Sequence, residues 1–241
     1  EDATDDTDRR CRGDCGRWPV KEHPILMQGP LVRATLEGRK TQTRRLLRNQ
    51  PPSRYHLVRV CGPWAEFEND GPTPAKYSTK SPLGEAGDRL WVRETFAIVH
   101  GCRDMDTGYI DDWMVPRDLP KDDDHGFWTV LYRADDRFDE SKEDRGFSWR
   151  PMIHMPRWAC RLVLPLVSVR VERVQSITET DARAEGLRRT ENGWTDGATG
   201  YDVTSARAAF QELWASIYGQ EAWDANPWVW VAEWKDIEVR A

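Results

Sequence analysis

The stretch GRKTQTRR, residues 38–45, decides the fold because it joins a helix to a strand through a glycine. The segment before it, residues 30–37, places apolar side chains at helical spacing, and Gly38 lies where a helix usually ends. After the glycine, residues 41–47 alternate and begin with a β-branched side chain, a pattern typical of a strand. The stretch therefore predicts a helix, a tight turn and a strand that enters a sheet.

The same stretch carries candidate chemistry. Lys40 and the hydroxyl of Thr43 lie three residues apart, with Arg39, Arg44 and Arg45 around them. Neighbouring positive charges disfavour a protonated amine, so we expect the pKa of Lys40 to be lowered, as a lysine general base requires. The three arginines would also attract phosphate groups or a nucleic acid. Both interpretations point towards nucleotides.

Length and composition favour one domain without membrane contact. The 241 residues suit a single domain with insertions, and no apolar run is long enough to span a bilayer. Residues 1–22 are polar and acidic, unlike a secretory signal, and we interpret them as a flexible N-terminal extension. The sequence therefore predicts a cytoplasmic protein whose single domain covers residues 23–241, with an insertion at about 100–157.

The cysteines predict neither a disulfide framework nor a metal site. Five is an odd number, and a chain of this length can build a core without disulfides. Cys11, Cys15 and His23 are loosely spaced, and no second cysteine pair follows them. We therefore expect no metal and no other cofactor.

The net charge of −6 conceals a block pattern. Residues 24–60 carry eight basic side chains against one acid, and residues 145–173 carry six arginines against one acid. Between these blocks, residues 102–144 hold fourteen acids against six basic side chains. The pattern predicts a basic face and an acidic insertion. The alternative is that the charged blocks are solvated surfaces without a partner.

The periodicity along the chain predicts a mainly β fold with peripheral helices, in the α+β class. Many strands, few helices and a last strand returning to the core favour a small β-barrel. The predicted strands are 25–27, 41–47, 55–61, 64–68, 87–96, 128–133, 160–174 and 228–239, and the predicted helices are 30–37, 178–186 and 203–218.

The segment WRPMIHMPRW, residues 149–158, is a second candidate contact region. Bases stack on indole rings and arginines bind phosphates or base edges, which makes this segment a candidate for substrate or nucleic-acid binding. The alternative is a structural plug in which both tryptophans are buried. The candidate binding residues are Trp149, Arg150, His154, Arg157 and Trp158.

In their order along the chain, several motifs resemble the ASCH domain of the PUA-like superfamily. They are GRKTQTRR, the strand GDRLWV at 87–92, the helix ending AEG at 184–186, and the final strand WVWVAEW at 228–234. The segment at 149–158 is similar to one in the longer members that phages and prophages encode. The resemblance covers about residues 24–240. It implies a PUA-like β-barrel with a cleft for a nucleotide or modified base, in a bacterial host's cytoplasm if a phage encodes the chain.

The resemblance also implies a reaction. One small bacterial branch resembles 4-acetylcytidine amidohydrolases, which use a lysine, a threonine and a glutamate; matched motif to motif, these are Lys40, Thr43 and Glu185. Thr43 would attack the acyl carbonyl, and Lys40 would take the proton of its hydroxyl. Glu185 would orient the reacting groups or protonate the leaving amine. Other branches imply two alternatives, a ribonuclease and a non-catalytic module that binds RNA or modified DNA. This chain departs from the small enzymes by its insertion.

One geometric condition accompanies the amidohydrolase interpretation. Side chains at positions 40 and 43 point to opposite faces of a fully extended strand. They converge only if Lys40 lies in the turn before the strand begins, as Gly38 would allow. The alternative leaves the threonines as ordinary strand residues and Lys40 as a surface cation.

Overall fold

The fold is known from a computed structural model, which describes residues 19–72, 74–102, 107–108, 126–135, 147–195 and 202–240. Most of the elements in these ranges are strands. The strands are β1 (Glu22–Leu26), β2 (Gln42–Leu46), β3 (Tyr55–Cys61), β4 (Trp64–Asn69), β5 (Lys76–Lys80), β6 (Arg89–Arg93), β7 (Phe96–Cys102), β8 (Thr107–Gly108), β9 (Gly126–Tyr132), β10 (Leu162–Arg173), β11 (Arg188–Arg189), β12 (Trp194–Thr195), β13 (Trp228–Trp234) and β14 (Glu238–Val239). The α-helices are α1 (Gly29–Leu36), α2 (Glu179–Ala184), α3 (Ala206–Tyr218) and α4 (Gln220–Asp224).

The main sheet follows the order β1-β6-β10-β13-β2, and β14 also pairs with β10. Strand β1 runs parallel to β6, and the other pairs on this path are antiparallel. Helix α1 connects the two outermost strands. The guanidinium of Arg45 on β2 donates to the carbonyl oxygen of Leu26 on β1 at 2.7 Å, so a side chain links the two ends of the path.

Strand β13 lies between two apolar clusters. Trp230, Ala232 and Trp234 belong to the largest cluster, together with residues of β6 and β10. Val229 and Val231 alternate with them and pack in a second cluster with α2 and α3. Because successive side chains of a strand point to opposite faces, a strand buried on both faces reads as a continuous apolar run. Helix α3 packs against this second apolar face of β13, which determines where the helix lies.

Two side-chain caps fix the helices that border the site. The hydroxyl of Thr178 accepts from the amide of Asp181, whose carboxylate accepts in return from the amide of Thr178. The carboxylate of Glu179 accepts the amides of Ala206 and Arg207 at 3.1 Å, at the start of α3. These bonds satisfy helix N-termini that would otherwise lack acceptors. They also hold α2 and α3 together.

The mainly β class with few helices, predicted from the sequence, is confirmed. The helix at 30–37, the hairpin of β3 and β4, and the capped helix at 178–186 lie close to their predicted bounds. The predicted last strand is divided into β13 and β14, separated by Asp236 with a φ of +52°. Within the described residues, the strand path of the main sheet does not close by backbone pairing.

Other expectations concern residues that the structure describes only in part. Residues 1–18 of the predicted extension and residues 103–106, 109–125 and 136–146 of the predicted insertion lie outside the described ranges. The sequence predicted no disulfide framework; in the structure Cys61 is disulfide-bonded, while the buried Cys160 is a free thiol. No helix in the described ranges has the length and apolar character needed to cross a membrane.

Candidate functional site

A tight turn places Lys40 before β2 begins. Helix α1 ends at Leu36, and Gly38 adopts a φ of +74°, which glycine takes without steric cost. The amides of Arg39 and Lys40 then both donate to the carbonyl oxygen of Ala34 at 2.9 Å. The condition for bringing positions 40 and 43 together is therefore met.

Lys40 is buried and uses all three of its donors. Its Nζ donates to the carbonyl oxygen of Gln42 (2.8 Å), the carbonyl oxygen of Glu185 (2.9 Å) and Oε2 of Glu185 (2.8 Å). The side chain is 2% exposed. Burial lowers the pKa of Lys40, opposed by the charge of Glu185; Arg45 and Arg44 lower it by smaller amounts. The sequence predicted a lowered pKa for Lys40, and the direction agrees; the main cause, however, is burial rather than the neighbouring arginines.

Glu185 connects Lys40 to a second buried cation, Arg44. Oε1 of Glu185 accepts from Nη1 of Arg44 at 3.0 Å. Nη2 of Arg44 lies 3.2 Å from a Glu172 carboxylate oxygen and 3.5 Å from one of Asp181. The Arg44 side chain has no exposed surface, and that of Glu185 is 4% exposed. Both oxygens of Glu185 are therefore paired, as a buried carboxylate requires.

Further ion pairs make this network acidic on balance. Arg170 pairs with Glu172, with Asp181 and with Glu233. Four carboxylates thus face three cations in the connected network. Its cations are Lys40, Arg44 and Arg170, and its carboxylates are Glu172, Asp181, Glu185 and Glu233.

Thr43 lines a small cavity beside this network. The cavity has a volume of about 40 Å³, enough for water or a few ligand atoms. Lys40 and Glu185 line the same cavity, and the side chain of Thr43 forms no hydrogen bond within the described part of the chain. The structure therefore brings the three residues together, although Lys40 and Thr43 do not hydrogen-bond. The full lining is Leu31, Lys40, Thr43, Arg44, Arg45, Glu185, Phe210, Leu213, Trp214, Ile217 and Tyr218.

A larger cleft, of about 720 Å³, shares Lys40 with the small cavity. The turn after α1, the start of β2 and residues 233–237 form much of its wall. Thr41, an exposed residue, lines this cleft, whereas Thr43 does not. The larger cleft also contains Thr35 and Thr180, so Thr41 is one of three threonines that line it.

The two remaining arginines of the 38–45 stretch are engaged by the protein itself. Arg39 donates to the carbonyl oxygen of Gly186 at 2.5 Å and to Glu37 at 2.7 Å. Arg45, as described, donates to the carbonyl oxygen of Leu26. These two arginines, which the sequence placed in a basic face for phosphate, therefore already donate to acceptors of the protein.

The segment at 149–158 lies apart from Lys40. Residues 152–154 and 157–159 form short 3₁₀ turns, and no residue of the segment lines either the small cavity or the larger cleft. Arg150 pairs through its backbone with Phe96 on β7, and Trp158 packs in an apolar cluster with Phe96. These contacts anchor the segment to the sheet of β7, β8 and β9.

The other candidate residues of that segment have individual surroundings. Trp149 packs edge-on against Phe147 at 5.1 Å between ring centroids. Arg157 pairs with Glu22 at 2.7 Å, and His154 is exposed. Both tryptophans are half-buried against aromatic neighbours, whereas the structural alternative expected them to be buried, and His154 is accessible to solvent.

Sequence reasoning missed the acids that hold Arg44. Asp181 lies in the first turn of the predicted helix 178–186, and Glu172 is the one acid in the arginine-rich block 145–173. One signal was present, because an acid in an otherwise alternating strand calls for a cation nearby. Arg44 and Glu172 are 128 residues apart, so only the pairing of β10 with β13 and of β13 with β2 brings them together.

The donor types present do not form a metal site in the described ranges. There, no group of three or more histidine, cysteine, aspartate and glutamate side chains is arranged to hold a metal ion. Cys11 and Cys15 lie outside those ranges.

Comparison of the chain with protein-family profiles, curated proteins and solved structures finds no match.

Proposed function

We propose that the protein is an ASCH-type amidohydrolase, built on a PUA-like barrel, that removes an acyl group from the exocyclic amine of cytidine or a related modified nucleoside. One observation carries the proposal. Lys40, Thr43 and Glu185 line one cavity, and burial lowers the pKa of Lys40. The link from Arg45 to Leu26 between the outer strands supports the barrel.

The reaction follows from the roles that these three side chains can fill. The hydroxyl oxygen of Thr43 forms a bond to the acyl carbon, and its proton passes to the uncharged amine of Lys40. The C–N bond then breaks, and the exocyclic nitrogen takes the proton from Lys40 as cytidine leaves. Water hydrolyses the acyl-threonine in the same manner, which releases the carboxylic acid and restores Thr43.

The Lys40–Glu185 pair can exchange the proton that the reaction moves. A base must be uncharged before it accepts a proton, and burial of Lys40 favours the uncharged amine. Glu185, 2.8 Å away, can take a proton from Lys40 without exchange with solvent. During attack, Lys40 must exchange its bond to Glu185 for one to Thr43, since the resting structure contains only the former.

The charge balance favours an uncharged nucleoside over a polymer. Binding of a nucleic acid rests on exposed cations that neutralise phosphates. Here Arg44 is fully buried among carboxylates, and Arg39 and Arg45 donate to backbone carbonyl groups. A network with more carboxylates than cations repels phosphate, so these contacts support neither a ribonuclease nor a module that binds RNA or DNA through this stretch.

The cavity also limits what reaches Thr43. A volume of about 40 Å³ accommodates an acyl group of two or three heavy atoms and excludes a nucleoside. In this proposal the acyl group enters between β2 and the last turns of α3, while the base remains outside. Ile217, 45% exposed, lies at the solvent side of that lining.

The test measures, by chromatography, the release of cytidine from 4-acetylcytidine. We expect turnover by the wild type, loss of turnover in Thr43→Ala, and full turnover in Thr79→Ala, a strand threonine of the separate β3–β4–β5 sheet. Loss in Thr41→Ala with retention in Thr43→Ala would move the reaction to the larger cleft. No turnover by the wild type would refute the proposal for this substrate.

A further inference from the structure

One face of helix α3 forms a wall of the small cavity. Five residues of this helix belong to the lining: Phe210, Leu213, Trp214, Ile217 and Tyr218. They follow one another at intervals of three or four, the spacing at which side chains share one face of an α-helix. The side chains of α3 therefore face the cavity. Since they are aliphatic or aromatic, this wall suits a hydrocarbon group.

The exposure of this face changes along the helix. Phe210 is 3% exposed and Trp214 is 2% exposed, whereas Ile217, near the end of α3, is 45% exposed. The cavity is therefore enclosed near Phe210 and meets solvent near Ile217. Leu213 is half-buried and lies about one helical turn from each of these two residues.

Leu213 also differs from its neighbours in how much of the core depends on it. Phe210 and Trp214 are buried members of the second apolar cluster, which joins α3 to β13. Leu213 is only partly buried and packs against the margin of that cluster. A change in the size of Leu213 therefore alters the wall of the cavity more than it alters the core.

We propose that Leu213 limits the length of the acyl group, so that the protein removes acetyl groups and rejects acyl chains of four or more carbons. This inference rests on the proposed function, in which the acyl carbonyl reaches Thr43 in the same cavity. A volume of about 40 Å³ holds an acetyl group. The additional methylene groups of a longer chain would overlap the wall, and a close-packed wall does not yield without cost.

The size of the effect follows from the number of carbon atoms involved. One methylene group that an apolar pocket cannot hold changes kcat/KM about 10- to 200-fold. A butyryl group has two methylene groups more than acetyl, so the wild type should prefer acetyl by about 100-fold or more. Leu213→Ala removes three carbon atoms from the wall, and we expect it to reduce this preference to about tenfold or less.

The experiment measures kcat/KM for 4-acetylcytidine and 4-butyrylcytidine in the wild type, Leu213→Ala and Leu57→Ala. Leu57 on β3 is the matched control, because it is also half-buried and packs at the margin of an apolar cluster but does not line the cavity. Leu57→Ala should keep the wild-type preference for acetyl. Thermal unfolding establishes that each variant is folded. Leu213→Val, which removes one carbon atom, should give an intermediate preference and decides the question if Leu213→Ala does not fold.

The outcomes separate this inference from the proposed function. A wild type that hydrolyses both substrates within about threefold of each other would overturn the inference alone, since the cavity would not limit the acyl group. So would a folded Leu213→Ala that keeps the full preference for acetyl, or a Leu57→Ala that loses it to the same extent. Absence of turnover of both substrates by the wild type would overturn both proposals.

Discussion

Replacement of Lys40 by methionine tests whether the buried ion pair exists as described. The substitution keeps most of the side chain's length and removes the ammonium group. It leaves Oε2 of Glu185 buried without its donor, and it also leaves the carbonyl oxygens of Gln42 and Glu185 unpaired. Breaking a buried pair by removing one partner typically costs about 3–5 kcal/mol. Because Arg44 still holds the other oxygen of Glu185, we expect a loss at the lower end of this range.

A double-variant cycle isolates the pair from the rest of the site. Glu185→Leu alone leaves Lys40 buried with carbonyl partners only, and Lys40→Met/Glu185→Leu removes both charges. The loss in the double variant should fall short of the sum of the single losses by about 1–3 kcal/mol, since each single variant strands a charge. Lys235→Met, at an exposed lysine of the larger cleft, should change stability by less than about 0.5 kcal/mol.

The assay is urea unfolding followed by tryptophan fluorescence, repeated over a range of pH. The folded protein holds the proton of Lys40 less tightly than the unfolded chain, whose pKa is near 10.5. The unfolded chain therefore binds more protons between the lowered pKa and 10.5, and the stability of the wild type relative to Lys40→Met should rise with pH in that window. A loss below about 1 kcal/mol in Lys40→Met, or single losses that add exactly, would refute the buried pair.

Two further predictions concern the same lysine. Gly186 has a φ of +100°, and a Cβ there would lie 2.9 Å from Cβ of Lys40 and 3.0 Å from Cβ of Ala34. Gly186→Ala should therefore lower the free energy of unfolding in urea by about 2–4 kcal/mol. Gly38→Ala, with a φ of +74° and open space around the added atom, is the control and should lose only about 1–2 kcal/mol; equal losses would contradict the packing described. The rate of 4-acetylcytidine hydrolysis should rise with pH through the lowered pKa of Lys40, below 10.5, and a flat pH profile would show that Lys40 is not the base.

Elements that depend on neighbouring residues could be predicted from the sequence. The turn at Gly38, the capping box of Thr178 and Asp181, and the hairpin across Gly62 each have a local signal within four or five residues. The position of Lys40 in a turn follows from the same local reasoning. The resemblance assigned Glu185 to the same candidate site as Lys40, and the structure places its Oε2 2.8 Å from Nζ of Lys40.

The partners of Arg44 could not be predicted in this way. They come from β10 and α2, more than a hundred residues further along the chain, and no local pattern ties them to β2. Counting charges in blocks also misled, because successive residues of a strand point to opposite faces. Arg44 is turned towards carboxylates, whereas its neighbour Arg45 reaches the backbone of β1.

The origin of the lowered pKa separates two accounts of Lys40. If the neighbouring arginines caused it, then salt and the loss of Arg45 would restore an ordinary lysine, and the site would remain attractive to phosphate. Burial is instead the largest cause, and Glu185 opposes it from within the same network. A base tuned by burial keeps its low pKa at any ionic strength, because salt does not screen a desolvation cost. The same burial removes Arg44 from the surface and encloses its guanidinium among carboxylates, so one structural cause accounts both for the base and for the lack of an exposed cation at position 44.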